Sequence, residues 1–289
     1  KSLALSLPDK QKERVEELRL RVMHPLTVLT LEGELNAAPD GRASLVTAED
    51  LEQMREACRM TRDVLNLMEE RIKPGMTTKE LDGIAFRFIK GMGAEPSFLG
   101  YYGYPASICA SVDDMIIHGI PSEDIVIKEG QIVSIDVGVY YNGFHGDAAR
   151  TFPVGEVSPE KRKLVDVTRE CFFCAVNALG EGVPLGDIGH AVQAHAEENG
   201  FSVVREYVGH GVGRDMHEDP AVPNFGKRGT GIRLRRGMTI AIEPMINMGT
   251  HKIRLLPDGW GVKTQDGMPS AHYENTVAIT EDGVEILTL

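Results

Sequence analysis

Asp136 and Asp147 each fall inside a β-type apolar run, Gln131–Tyr141 and Phe144–Phe152, and Asn142-Gly143 joins the two runs. Asn-Gly between strands is the signature of a two-residue hairpin turn, in which both central residues take positive φ. The turn predicts the register: Tyr141 faces Phe144, so Asp136 faces Ala149, and Asp147 lies two residues from Ala149 on the same side of the sheet. Diagonal neighbours of this kind sit about 7–8 Å apart at the backbone. Two carboxylates on one face of a largely apolar hairpin repel and hold their protons more tightly unless a cation lies between them. The second part of the chain carries the same arrangement, with Glu243 in the run Met238–Met248 and Glu274 in the run Ala271–Thr280. Between them a longer excursion turns at Pro257-Asp-Gly259 and carries Trp260. His210, in Gly209-His-Gly-Val-Gly213, adds an imidazole on a backbone whose glycines permit close approach. Four carboxylates and one imidazole would suit two divalent metals about 3.5–4 Å apart with a bridging water, four negative charges balancing two dications. Taken singly, each acid reads first as one of the chain's 43 acidic residues facing solvent. The repetition of the pattern inside apolar strands reverses that reading for the set.

Such a set needs a scaffold that presents it twice, and the chain contains one. Thr47, with Asp50 three residues on, is placed to cap a helix in which Leu51, Met54, Cys58, Leu65, Met68 and Ile72 recur at helical spacing until Pro74-Gly75. A second helix is predicted over Thr78–Met92, followed by a loop dense in Gly and Tyr and a β-type run at Ser107–Ser111. The same order returns 107 residues later: Gly75, Leu81, Ala85 and Gly93 answer to Gly182, Ile188, Val192 and Gly200, and Ile135-Asp136 to Ile242-Glu243. Cys58, Leu65 and Ile72 likewise stand opposite Val165, Phe172 and Leu179. Two helix-helix-strand halves about a pseudo-twofold axis are therefore expected, in an α+β fold around a central antiparallel sheet.

Composition narrows the function classes. With 289 residues, 42% hydrophobic, the chain is an ordinary globular protein. A net charge of −12 makes nucleic acid a poor default partner, and no basic stretch is longer than Arg233-Leu-Arg-Arg236. No run of 18 apolar residues occurs, so a membrane span is not expected, and a cytoplasmic location is. Cys58, Cys109, Cys171 and Cys174 make no disulfide framework. Cys171-Phe-Phe-Cys174 has zinc-like spacing but lies in a helical apolar pattern with no completing His or second Cys pair, which favours core packing. Residues 1–47 read as an extension, with a charged helix expected over Asp9–Arg21 and a loop of turn formers around Asn36–Gly41.

Residues 47–289 resemble the type I methionine aminopeptidases, which have the duplicated pita-bread fold. The resemblance rests on Ile116-Ile-His118-Gly-Ile-Pro121, on Ile135-Asp136 through Phe144-His-Gly-Asp147, and on Gly209-His210-Gly-Val-Gly-Arg, His217-Glu-Asp-Pro220, Ile242-Glu243-Pro-Met245 and Ser270-Ala-His-Tyr-Glu274. It implies that Asp136, Asp147, His210, Glu243 and Glu274 are metal ligands, Asp147 and Glu274 bridging both ions, and that His118 and His217 contact substrate. The domain expected is residues 48–289, with halves of about 48–155 and 156–289.

The activity so implied is removal of the N-terminal methionine of nascent proteins and peptides, preferably ahead of a small second residue. The metals would activate the bridging water and polarise the scissile carbonyl, with the substrate's α-amine at the dinuclear centre. Glu243 would accept the water's proton and pass it to the leaving amine, while His118 and His217 orient the amide and stabilise the oxyanion. A methionine pocket needs aromatic and sulfur-containing walls, for which Phe98, Tyr101, Tyr104, Cys109, Met216 and Trp260 are candidates by position. Two of these depart from the family pattern: Phe98 stands where bacterial members often have a small residue or Cys, and Met216 precedes His217 where an aromatic is usual. Pocket shape is thereby left open.

Type II enzymes carry a helical insertion in the second half, whereas only 30 residues separate Glu243 from Glu274 here, so type I is preferred. Residues 1–47 hold no Cys and the single His24, which excludes an N-terminal zinc module, and Pro8, Pro25 and Pro39 are too scattered for a proline-rich arm. The extension is left to pack on the domain or to stay free of it. Two rival functions share the fold: a proline-directed metallopeptidase such as aminopeptidase P or prolidase, and a catalytically silent binding protein. The first usually has a substantial N-terminal domain, and the second would have lost ligands that all stand here. Ligand identity does not choose among Co, Mn, Fe(II) and Zn. A monomer is expected, and ribosome contact follows from the resemblance alone.

Overall fold

The computed structural model describes residues 45–289, so the helix expected over residues 9–21 and most of the extension lie outside the described residues. Helix α1 (Ala48–Arg71) starts at the expected cap: the Thr47 hydroxyl accepts from the Asp50 amide, and the Asp50 carboxylate accepts from the Thr47 amide. Two of the amides that a helix start leaves unpaired are thereby satisfied. Helix α2 (Thr78–Gly91) opens on the same device at Thr77 and Glu80. The mates of these helices are α3 (Pro159–Asn177) and α4 (Leu185–Glu198).

The 107-residue shift holds in the backbone itself. It carries α2 onto α4 end for end, and the Gly75 amide bond to the Ile127 carbonyl onto the Gly182 bond to Leu234, both 2.8 Å. Gly75 and Gly182 both take positive φ, 92° and 83°, which a side chain would resist. The short strand Glu95–Pro96 pairs at Tyr140 and Val139, and its mate Ser202–Val203 at Asn247 and Ile246, the same points under the shift.

In the first half, strands Ile132–Tyr141 and Phe144–Pro153 form a continuous ten-residue hairpin in the predicted register, with Tyr141 opposite Phe144 and Asp136 opposite Ala149. Asn142 and Gly143 take the required positive φ of 50° and 88°.

The second half departs from expectation. Each apolar run is split, the first into Thr239–Ile242 and Met245–Asn247, the second into Ser270–His272 and Glu274–Thr280. The cause is at the break. Where the first half pairs Val137 with Ala148, the second has Pro244 and Tyr273, joined only by the Tyr273 amide donating to the Pro244 carbonyl at 3.1 Å. Proline has no amide to return the bond. Beyond the break, Met245–Asn247 leaves the main sheet for a three-stranded one with Ser202–Val203 and Ser270–His272.

The nine-stranded main sheet joins the halves along one seam, Glu274 opposite Ala149 and Asn275 opposite Ala148. One apolar core fills the space between α1, α2 and the first hairpin, a second that between α3, α4 and the second-half strands. Cys171 lies buried in the latter core and Cys174 is half-buried, in keeping with a packing role. The excursion after Met248 forms strands Ile253–Leu255 and Val262–Thr264, which pair with each other, and the second of them pairs across the twofold with Met115–Ile117 of the first half. No described helix is long and apolar enough to cross a membrane.

Candidate metal centre and adjoining pocket

The seam and the break together set the centre. Asp136 and Asp147 sit mid-strand on the first hairpin, His210 lies in strand Gly209–Gly211, Glu243 follows Thr239–Ile242, and Glu274 opens its strand. One donor atom each from Asp147, His210 and Glu274 lie within 4.8 Å of one another, and all three residues are buried. His210 Nε2 is 3.5 Å from Asp147 Oδ2 and 3.8 Å from Glu243 Oε1. Asp136 belongs to the same charge group, since the carboxylates of Asp147 and Glu243 act on it.

Its electrostatics are those of a site built for cations. Burial pushes Asp136 and Glu274 well above the ordinary carboxylate range, and in each case Asp147 and Glu243 add to the shift. Asp147 is raised by burial as well, partly offset by His210. Burial works against a charge on His210, yet Asp147 and Glu243 outweigh it and raise its pKa. Asp136 Oδ1, Asp147 Oδ1 and Glu274 Oε1 are buried without a hydrogen-bond partner. Orphaned carboxylate oxygens are costly, and a divalent ion resolves the cost by replacing protons with ligand bonds. The donors therefore fit divalent metal. His210 is held in the ligating orientation, because Nδ1 lies 2.8 Å from the Gly211 carbonyl and must donate to it, which turns Nε2 toward the carboxylates.

Sequence reasoning left several supporting residues unassigned. The Thr276 hydroxyl accepts from the Asp147 amide and donates to its carbonyl, fixing that backbone across the seam. The Arg150 guanidinium donates to the Glu274 carbonyl and to Asn275 Oδ1, and lies 4.2 Å from the Tyr273 ring centroid, so it ties the break residue and the strand that follows it to the first hairpin. His272 stands 3.6 Å from Glu243. The quoted motif contained His272, but nothing in its spacing distinguished it from a core residue.

His118 and His217 flank the centre from opposite halves. His118 takes a left-handed φ of 58°, and its ring meets Tyr207 edge-on at 5.6 Å. Burial holds its pKa down to about 4, so the imidazole is neutral at pH 7. His217 Nδ1 lies 2.9 Å from the Tyr101 hydroxyl, and its ring centroid is 4.1 Å from that of His210.

All six pocket candidates fall in one cluster: Phe98, Tyr104, Cys109 and Met216 are buried, with Tyr101 and Trp260 partly buried against them. Cys109 pairs with Asp136 across the ladder, which places the cluster against the candidate donors. Trp260 arrives from the other half on the excursion and meets Tyr104 edge-on at 5.1 Å. Gly138 lets the walls close, since a Cβ there would meet Ser97 Cβ at 2.7 Å and both Met216 and Phe98 at 3.0 Å. Phe98 and Met216 thus converge over one glycine.

The profile of metallopeptidase family M24 matches residues 52–281. A methionine aminopeptidase of Clostridium perfringens is 53% identical over 245 residues, 85% of this chain and 98% of that protein. Among solved structures, the methionine aminopeptidase of Rickettsia prowazekii superimposes with a TM-score of 0.84 at 40% identity, covering 86% of this chain and all of that one. The prolidase of Pyrococcus furiosus is more distant, with a TM-score of 0.67 at 25% identity and 65% of its length covered.

Proposed function

The chain belongs to metallopeptidase family M24, and from that premise we propose that it is a methionine aminopeptidase, hydrolysing the peptide bond after an N-terminal methionine. What supports the reading is the meeting of Asp147, His210 and Glu274 at one buried place, with Glu243 3.8 Å from His210 and unsatisfied oxygens on Asp136, Asp147 and Glu274, beside a cluster of aromatic and sulfur-containing side chains. The proline-directed alternative has weaker support, 25% identity against 53%.

Asp136, Asp147, His210, Glu243 and Glu274 would hold two divalent ions. Bound there, such ions supply Lewis acidity toward the scissile carbonyl and make water acidic enough to yield a nucleophile near neutral pH. Glu243 takes the proton of the attacking water and delivers it to the departing amine nitrogen, so that the C–N bond breaks without expelling an amide anion. His118 is neutral and can donate to the carbonyl oxygen as negative charge gathers on it, without itself giving up a charge. His217 is held by Tyr101 and stands beside His210, where it would orient the substrate amide. Phe98, Tyr101, Tyr104, Cys109, Met216 and Trp260, which pack as one cluster, would receive the methionine thioether, for which polarizable aromatic and sulfur partners are favourable. Substrates are peptides and nascent chains with N-terminal methionine and a small second residue. Such work places the enzyme in the cytoplasm, near the ribosome.

The test compares release of the first residue from Met-Ala-Ser and Ala-Pro-Phe peptides by metal-stripped protein titrated with Mn²⁺ or Co²⁺. Methionine release that appears with metal and collapses in Glu243→Gln is the expected result. Release only ahead of proline would transfer the chain to the proline-directed branch.

A further inference from the structure

His272 is buried, 2% exposed, and neither ring nitrogen has a hydrogen-bond partner. An imidazole in that state is costly unless something at the site engages it. Its Nε2 faces two carboxylates, 3.6 Å from Glu243 Oε2 and 3.9 Å from Glu274 Oε2. Both distances exceed a hydrogen bond. They match instead the spacing of atoms sharing one ion, since two ligands about 2.1 Å from a metal lie about 3.4 Å apart in tetrahedral geometry. His210 Nε2, at 3.5 and 3.8 Å from its own carboxylates, has the same relation to Asp147 and Glu243. Glu243 therefore lies between two imidazoles, offering Oε1 to His210 and Oε2 to His272.

The repeat accounts for the placement. In the first half Asp147 pairs with Gly138, and in the second His272 pairs with Met245, which is Gly138 under the 107-residue shift. His272 thus occupies the twofold mate of Asp147.

We propose that His272 is a sixth donor of the centre, its Nε2 binding metal alongside Glu243 and Glu274. The inference rests on the proposed two-ion site. Its chemical consequence is a centre richer in nitrogen than one imidazole would make it, which favours Co, Fe(II) or Zn there over harder ions.

The probe is Co²⁺ alone. Full-chain protein labelled with ¹⁵N-histidine is loaded with two equivalents, and hyperfine-shifted, solvent-exchangeable imidazole N–H resonances are counted. The wild type is expected to show two, one of them disappearing in His210→Gln and the other in His272→Gln. Co²⁺ titration of His272→Gln should show one ion weakened by at least the roughly 10–100-fold that outer-shell partners already cost. A single shifted imidazole in the wild type overturns the proposal whatever the variants do, and so does an unaltered Co²⁺ affinity in a folded His272→Gln. Two bound ions with one imidazole leave the two-ion reading standing and remove only this one. Failure to bind Co²⁺ removes both.

Discussion

The first half of the molecule keeps its two central strands unbroken for ten residues, while the second interrupts both beside Glu243 and Glu274. Register is nonetheless preserved across the interruption, because Met245 still pairs with His272 as Gly138 pairs with Asp147. Pro244 and Tyr273 thus change the direction of the strands without changing which residues face each other. The mated positions then carry different chemistry: Asp136 and Glu243 are both acids, Ala149 is mated to Glu274, and Asp147 to His272. Duplication explains how one short motif builds a symmetric cradle. It does not make the two sides equivalent, and an asymmetric reaction needs them to differ.

The strongest test of that asymmetry sets Glu243 against its mate. Glu243→Gln removes a ligand and the proton carrier, and kcat/KM on a methionyl peptide should fall about 10³-fold or more, unrecovered by added metal. Asp136→Asn removes a ligand only, so Mn²⁺ titration should restore most of its kcat. Identical metal dependence in the two variants would erase the distinction.

A second comparison is structural. Gly146 has no room for a Cβ, which would come within 2.7–2.8 Å of the α1 backbone at Ala57 and Cys58, whereas its mate is Ala271. Gly146→Ala should cost about 3 kcal/mol through overpacking, and Ala271→Gly about 1 kcal/mol, read as denaturant midpoints. Equal costs would show that the helices approach the two sheets alike.

The third concerns charge. Asp136, Asp147 and Glu274, and His210 too, have raised folded-state pKa values, so the stripped protein keeps these protons and loses stability as pH rises through those values. Bound cations reverse the sign. The Tm gap between Mn²⁺-loaded and stripped protein should therefore widen from pH 5.5 to 8, where saturating ion is worth about 3 kcal/mol at 100 times its Kd. A gap that narrows with pH would contradict the buried-acid arrangement.

The smallest effect is expected at the break. Pro244→Val supplies the missing amide, and hydrogen exchange should find it protected, with stability changed by less than about 1 kcal/mol. A loss of metal affinity tenfold or greater would show that the interruption itself shapes the site.

Much of this was legible because the signals were local. Asn142-Gly143 specified the hairpin register, the Thr47 and Thr77 caps marked the helix starts of the first half, and glycines at matched positions marked the turns of both halves. The split of the later runs was not foreseen, although Pro244 was visible, because apolar residues continue on both sides and only the partner strand reveals that a bond cannot be returned. The candidate donors Asp147, His210 and Glu274, which the structure brings together, were legible through the repetition of acids inside apolar strands. His272 was not, since its meaning depends on a second shift of 125 residues, Ala149 to Glu274, that separates the later strands once the excursion is inserted. Arg150 escaped for a similar reason: its partners, Glu274 and Asn275, are 124 and 125 residues away.

That separation also bears on how the chain acquires activity. Tyr141 and Phe144 meet across a two-residue turn, but Ala149 meets Glu274 only after 125 residues have been synthesised and placed. Closing so long a loop is entropically slower than zipping a hairpin. Two of the five expected donors come from the early half and three from the late one, so no partly folded state with a single ordered half can gather them. Competence to cleave is thus withheld until the last long-range pairing is made, and the protein carries its own check on complete folding.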